Sequence, residues 1–441
     1  MPNLSHEYAQ RRERLMAKIG QGTAIFRSAP TVAHHHTVEY NFRQDSDFYY
    51  LTGFNEPNAV AVLAPHHEEH RFVLFVRPKD LEKETWSGLR VGVDAAKEQF
   101  GADEVYPIEE LDEKLPQYLA TANQIYYRMG RDRAFDGTVM RHWQTLMGKY
   151  QKTGVGPTVL ADPRPLMGAM RKVKSAEELR LIRKAIAISV EAHHTAMAMA
   201  KPGRYEYEIQ AEMEHIFRRA GGQGPAYPSI VASGTNSCIL HYTENDRQMQ
   251  DNELLLIDAG CCYDYYNADI TRTYPVGQDF TTEQRILYDL VLEAQEQAIA
   301  QAQPGNPYSA MHDTAVGVIV DGLIDLGLLK GDREKIIKEE KYKPFYMHRT
   351  GHWLGLDVHD AGVYKYGEAE AILEPGNIFT VEPGIYISPR IKPAEEQPEV
   401  DERWHGIGIR IEDNVLITET GHEILTKEVP KHVDDLQHYR Q

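Results

Sequence analysis

The stretch "LLLIDAGCCYDYYNADITRTYPV", residues 254–276, sets a carboxylate at the end of an aliphatic run and another a short way on. Asp258 directly follows Leu254 to Ile257, where a buried strand tolerates no unpaired charge. Asp269 lies in a second strand-like run, and Cys261 and Cys262 sit between the two. A cysteine site, an ordinary hairpin and a deliberate carboxylate pair are all open readings. An antiparallel hairpin turning at Tyr263-Asp264 puts Asp258 directly opposite Asp269, with side chains about 5 Å apart. Carboxylates that close share a proton or need a cation between them. A register one residue different leaves one aspartate in solvent. Adjacent cysteines point to opposite faces of a strand and do not readily chelate one ion.

Three further segments carry the same kind of chemistry. "HRTGHWLGLDVHD" holds His348, His352 and His359 in mostly apolar surroundings. No Glu follows His348, and Gly351 and Gly355 weaken a helix, so this is not the zinc-helix motif. "PGNIFTVEPGIYI" ends an apolar run on Glu382 before a Pro-Gly turn, much as Asp258 precedes Ala-Gly. "GIGIRIEDNVLIT" alternates Arg410 and Glu412 with isoleucines, so both share one strand face, where a structural salt bridge is the plain alternative. Hard oxygen donors with an imidazole suit Mn²⁺, Fe²⁺, Co²⁺ or Zn²⁺ in a two-metal site. Ions about 4 Å apart generate a hydroxide at neutral pH and polarise a carbonyl, which is the chemistry of amide hydrolysis.

The chain is long enough for two or three domains at 441 residues, and its 42% hydrophobic and 26% charged content is that of a soluble globular protein. A net charge of -18 argues against nucleic acid or an anionic membrane as a partner. No apolar run is long enough to span a bilayer, and the N-terminus reads as a charged amphipathic helix rather than a signal peptide. Three cysteines make no disulfide framework, so a reducing cytoplasm is expected. The internal "HHH" at 34–36 reads as a surface loop.

Roughly the first 165 residues read as mixed α/β, with "NAVAVLAP" and "HRFVLFVRP" as neighbouring strands joined by the polar turn "HHEEH". "LADPRPLMGAMRKVKSAEE", with Pro163 and Pro165, suits an interdomain linker. The expected domains are 1–172 and 173–441. Capping boxes at "SAEE" and "TTEQ" each open a helix that stops at a Pro-Gly pair and leads to a second helix. Strand-rich segments, 227–276 and 346–418, follow the two helix pairs. Such a repeat implies a duplicated α-β unit built around one shared site.

Taken together, "HYTEND", "LLLIDAG", "ADITRTYPV", "GHWLGLDVHD", "TVEPGIY" and "GIRIEDNVLIT" resemble the aminopeptidase P branch of the Xaa-Pro peptidases, metallopeptidases of the pita-bread fold. "RQDSDFYYLTGFNEPNAVAVL" is similar to the N-terminal domain of that family. The resemblance implies an α+β chain with a smaller mixed α/β N-terminal domain and a pseudo-twofold pita-bread catalytic domain. It implies that Asp258, Asp269, His352, Glu382 and Glu412 hold two divalent ions, Mn²⁺ foremost, with Asp269 and Glu412 bridging. Glu382 then helps activate the bridging hydroxide. His241, His348 and His359 meet substrate or steady the transition state, Arg410 orients the carboxylates, and Tyr227 lies near the metals. The implied reaction is hydrolysis of the N-terminal Xaa-Pro bond of peptides by a homo-dimer or tetramer. A prolidase acting on Xaa-Pro dipeptides and a non-catalytic binding protein of the same fold are the alternatives. The segment between Tyr386 and Gly408 has more acids than bases, which disfavours the dipeptidase. Arg349-Thr350-Gly351 departs from the family, whose members often have Gly-Leu and a small residue there.

Overall fold

The computed structural model describes residues 4–277 and 279–438, and divides into two compact units, Met1–Met170 and Arg171–Gln441. The first unit is built on a six-stranded mixed sheet. Its spatial order is Glu104–Pro107, Phe72–Val76, Val60–Leu63, Thr23–Arg27, Gln124–Tyr127 and Val159–Ala161. Val60–Leu63 and Phe72–Val76 are antiparallel neighbours in register Val60 to Phe75, as their alternating turn and apolar runs imply. All five residues of "FVLFV" are buried, the pattern of a strand covered on both faces. The "HHH" run is exposed at the tip of a small ribbon formed by Ala33–His35 and Val38–Glu39.

The expected linker is instead partly helical, over Arg164–Lys172. Asp162 accepts the Arg164 N–H at 2.9 Å, and Pro165 falls in the first turn, where its missing N–H costs nothing. Prolines that read as linker punctuation therefore mark a helix start.

The second unit repeats one plan twice. Both capping boxes form, with Ser175 and Glu178 opening Ala176–Met199 and Thr281 and Gln284 opening Thr282–Ala300. Each helix packs against the next, Glu206–Arg219 and Ser309–Asp325 respectively. The first pair precedes an antiparallel sheet of Ile230–Ser233, Leu254–Asp258 and Thr271–Pro275. The second precedes Ile378–Val381, Asp413–Thr418 and Gly421–Ile424, with Gly384–Ile387 and Ile407–Arg410 as a neighbouring pair. Leu254, Leu255 and Ile257 join the helices in one core, each fully buried aliphatic side chain contributing about 1.5–3 kcal/mol.

The hairpin register differs from the expected one by two residues. Asp258 faces Thr271, and the two-residue turn is Asp264-Tyr265, both at positive φ (49° and 72°). Positive φ at both central residues is what a tight hairpin turn matching the strand twist demands, and Asp accepts it at low cost. A shift of two keeps every side chain on its original face, so Asp258 and Asp269 still converge, diagonally rather than directly opposed. Gly260 sits where the strands close up, since a Cβ there would stand 1.8 Å from the Ala268 carbonyl oxygen. The three cysteines are free thiols, with Cys261 buried and Cys262 half-buried on opposite sides of their strand.

Candidate metal centre

Asp258 ends one strand, and Asp269 lies in the irregular link Ala268–Ile270 before the next. The Tyr227 phenol touches a carboxylate oxygen of each aspartate. One hydroxyl carries one proton, so it donates to only one of them at a time, and the other contact sets oxygen against oxygen. Burial and the surrounding carboxylates hold the phenol far above its ordinary pKa, so it stays protonated.

His352 arrives on a stretch that extends the second sheet. The Glu382, Thr380 and Leu354 amides donate to the Thr350, His352 and Ile378 carbonyls at 2.7, 2.9 and 3.0 Å, a short antiparallel ladder. Gly351 permits this approach, because a Cβ there would lie 1.9 Å from the Thr380 carbonyl oxygen. The ladder aims His352 Nε2 at Asp269 Oδ2 (3.2 Å) and Glu382 Oε1 (3.5 Å). Nδ1 lies 3.1 Å from the Trp353 carbonyl, which only an N–H can satisfy, so Nε2 is left to the carboxylates or a cation. Donor atoms of Asp269, His352 and Glu412 all lie within 4.8 Å of one another.

Arg410 ends the strand Ile407–Arg410 and Glu412 lies in the two-residue break before Asp413–Thr418, and the two meet at the Thr271 hydroxyl. Thr271 donates to Glu412 Oε2 at 2.6 Å and accepts from Arg410 Nε at 3.2 Å. Arg410 Nη2 also donates to Asp258 Oδ2 at 2.6 Å and Nη1 to the Tyr386 hydroxyl at 3.0 Å. Tyr386 in turn donates to His348 Nε2 at 2.8 Å, because His348 Nδ1–H is committed to the Arg349 carbonyl. His348 Nδ1 stands 4.0 Å from Glu382. The His359 ring packs edge-on against His352, with centroids 4.4 Å apart. His241 is exposed on the loop after Gly234–Cys238, within electrostatic reach of His348 and His359 but with no hydrogen bond among the described residues.

The charge balance is unfavourable without a cation. Burial first, then repulsion from Asp269, Glu382 and Asp258, drives Glu412 well above its ordinary pKa. Burial raises Glu382 to about 7 against the opposing pull of His352, and raises Asp258 despite Arg410. Asp269 alone is lowered, because His352, Tyr227 and Arg410 together outweigh its burial, and His352 is correspondingly held protonated up to about 9. Burial and Arg410 push His348 down to about 3, so it is a neutral imidazole. Four carboxylates around one imidazole, those of Asp269 and Glu412 buried and those of Asp258 and Glu382 half-buried, with Arg410 the one guanidinium bonded to any of them among the described residues, form a donor set that fits divalent cations. Those cations would displace the shared protons.

Tyr386, Thr271 and Thr380 escaped the sequence reading. Thr380 bonds the Glu382 carboxylate at 3.1 Å and the His352 amide at 3.1 Å. Their period-two spacing from Glu382 and Asp269 was the available signal, but hydroxyls on strands are too common to single out.

The model of metallopeptidase family M24 matches residues 180–419, and that of the aminopeptidase P N-terminal domain matches residues 8–126. Over 433 residues the chain is 43% identical to the Xaa-Pro aminopeptidase of Escherichia coli K12, spanning 98% of this chain and 96% of that one. The Xaa-Pro aminopeptidase of Haemophilus influenzae is likewise 43% identical, with 98% and 96% covered. Among solved structures, aminopeptidase PepP of Pseudomonas aeruginosa superposes with a TM-score of 0.93 at 45% identity, covering 99% of this chain and 98% of that one. Zinc-substituted aminopeptidase P of E. coli, in complex with product, does so with 0.92 at 42% identity, covering 99% and 98%. With this geometry and these matches, the chain belongs to metallopeptidase family M24, a metallo-hydrolase of the pita-bread fold with an N-terminal domain of the aminopeptidase P type.

Proposed function

We propose that the chain removes the first residue from peptides with proline in the second position, using two divalent ions, Mn²⁺ foremost, with Co²⁺, Fe²⁺ or Zn²⁺ as alternatives. The observation that carries this reading is the convergence of Asp258, Asp269, His352, Glu382 and Glu412 in one buried, cation-demanding cluster. Relatives 43% identical over nearly the whole chain are named for the same activity. When bound, the two ions would supply a hydroxide nucleophile at neutral pH and polarise the scissile carbonyl.

The side chains do the rest. Asp258, Asp269, His352, Glu382 and Glu412 would hold the two ions. Glu382 accepts the proton of the attacking water and passes it to the leaving proline nitrogen. Arg410 keeps Asp258 ionised and oriented through its 2.6 Å bond. Tyr227 holds the two aspartates at one spacing.

Proline selectivity follows from the wall of His241, His348 and His359. An Xaa-Pro bond is a tertiary amide without an N–H, so a site that packs the ring against imidazoles loses nothing by offering no acceptor there. The acidic centre favours the cationic N-terminal amine. A homo-dimer or tetramer in a reducing cytoplasm completes the proposal.

Metal-loaded enzyme should hydrolyse Xaa-Pro-Xaa tripeptides much faster than Xaa-Pro dipeptides. Preference for dipeptides would replace this reading with a prolidase. No turnover of either, with ions bound, would replace it with a binding protein.

A further inference from the structure

Arg349-Thr350-Gly351, the segment that departs from the resembling family, is tied to a residue that no part of the reaction uses. Thr350 is 3% exposed, and its hydroxyl lies 2.9 Å from His312 Nδ1 and 2.6 Å from the Tyr346 hydroxyl. His312 belongs to the first turn of Ser309–Asp325, thirty-eight residues before Thr350. Tyr346 is fully buried.

The three groups form one chain of donors and acceptors. Tyr346 donates to Thr350, and Thr350 donates to the Nδ1 lone pair of a neutral His312. Burial, with Arg349 and Lys343 nearby, pushes His312 down to about 4, so the imidazole is neutral near pH 7.

Two members of this chain, Thr350 and Tyr346, bear on the centre. The Thr350 carbonyl takes the Glu382 amide at 2.7 Å, the first rung of the ladder that sets His352 beside Glu382. The Tyr346 ring packs edge-on against His348, with centroids 5.0 Å apart. We infer that His312 is a positioning residue, which through the Thr350 hydroxyl and Tyr346 sets the His348 ring and the Glu382 backbone for catalysis. This rests on the proposed Xaa-Pro hydrolysis. Loss of the His312 acceptor frees Thr350 to turn its hydroxyl away, and the Tyr346 and His348 rings then relax together.

The test compares His312→Ala, His312→Asn, His312→Gln and Thr350→Val in the full-length, Mn²⁺-loaded enzyme. Asn offers an amide near the place of Nδ1, whereas Gln offers one near Nε2. His312→Ala and Thr350→Val should each lower kcat about tenfold, with KM changed less than about twofold and two ions still bound. The double variant should be no worse than either single one, since both cut the same chain. His312→Asn should recover most of the loss and His312→Gln little of it. The imidazole ¹⁵N shifts of His348, taken with diamagnetic Zn²⁺ in place of Mn²⁺, give a readout independent of turnover, and should move in His312→Ala and return in His312→Asn. Unmoved shifts, kcat within twofold of wild type, an additive double variant, or Asn as poor as Ala would each overturn the inference. A wild type that cleaves no Xaa-Pro peptide, while the His348 shifts still respond, would overturn the proposed reaction and leave the positioning role standing.

Discussion

Arg410 Nη2 donates to Asp258 Oδ2 over 2.6 Å, an ion pair between a buried guanidinium and a half-buried carboxylate at the edge of a cluster of acids and one imidazole. Removing one partner of such a pair leaves an uncompensated charge, at a cost of about 3–5 kcal/mol. Arg410→Ala should therefore lower kcat/KM by at least about a hundredfold and, with Asp258 a ligand as proposed, weaken metal binding. Arg410→Lys keeps the charge but cannot reach Asp258, Thr271 and Tyr386 together, and should recover only part. Steady-state kinetics alongside metal analysis checks both.

Metal removal should abolish turnover and restore it on adding Mn²⁺. Asp269→Ala or Glu382→Ala should abolish hydrolysis while far-UV circular dichroism stays unchanged. Glu412→Gln should lower the bound metal below two ions per chain, by elemental analysis. Near-normal turnover in either alanine variant would rule out the assigned ligands.

Gly351→Ala and Gly260→Ala each add a methyl within 2 Å of a backbone oxygen, 1.9 Å from Thr380 and 1.8 Å from Ala268. Backbone cannot yield as a flexible side chain does, so the strands must part and carry His352 from Glu382, or Asp258 from Asp269. Calorimetric titration should show metal affinity falling at least about tenfold in each. Wild-type affinity would mean that these approaches do not set the site.

Asp360 is buried against Arg171 and Lys174 (Lys174 Nζ at 3.0 Å), and these cations outweigh burial to hold its carboxyl below the usual value of 3.8. A carboxyl lowered in this way stabilises the fold above its unfolded value and loses that contribution as pH falls through the folded one. Stability should thus decline on the acid side of about pH 4. Asp360→Asn should flatten that limb and cost about 3–5 kcal/mol at neutral pH, because the buried Lys174 ammonium loses the carboxylate it bonds and Arg171, which also pairs with Asp357, loses one of its own. Urea titrations across pH measure both.

Local chemistry explains what was legible early. Ser175 with Glu178 and Thr281 with Gln284 fold as capping boxes because the bonds that make them span three residues. The apolar alternation around Arg410 and Glu412 likewise puts both on one side, where they meet Thr271, although the strand breaks between them. The turn was harder. Asp264 and Tyr265 adopt positive φ because the strands on either side demand that twist, and nothing in the two residues announces it. Pro163 and Pro165 misled for a related reason, since whether a proline ends an element or starts one depends on where the next residues run in space.

The order of residues alone was enough to set the two capped helix pairs, the strands after them, and a group of acids and imidazoles at strand ends. Each of these depends on residues within about one turn or one strand of each other. That Asp258 meets Asp269 diagonally through Tyr227, that Tyr386 joins Arg410 to His348, and that His312 reaches Thr350 was settled by the three-dimensional packing. Those contacts, with the Arg410–Asp258 pair beside them, join segments up to 152 residues apart, and burial gives them their force. Away from water, a carboxylate, a phenol and an imidazole must each find a partner, and which one is near is settled by how the sheets and helices close.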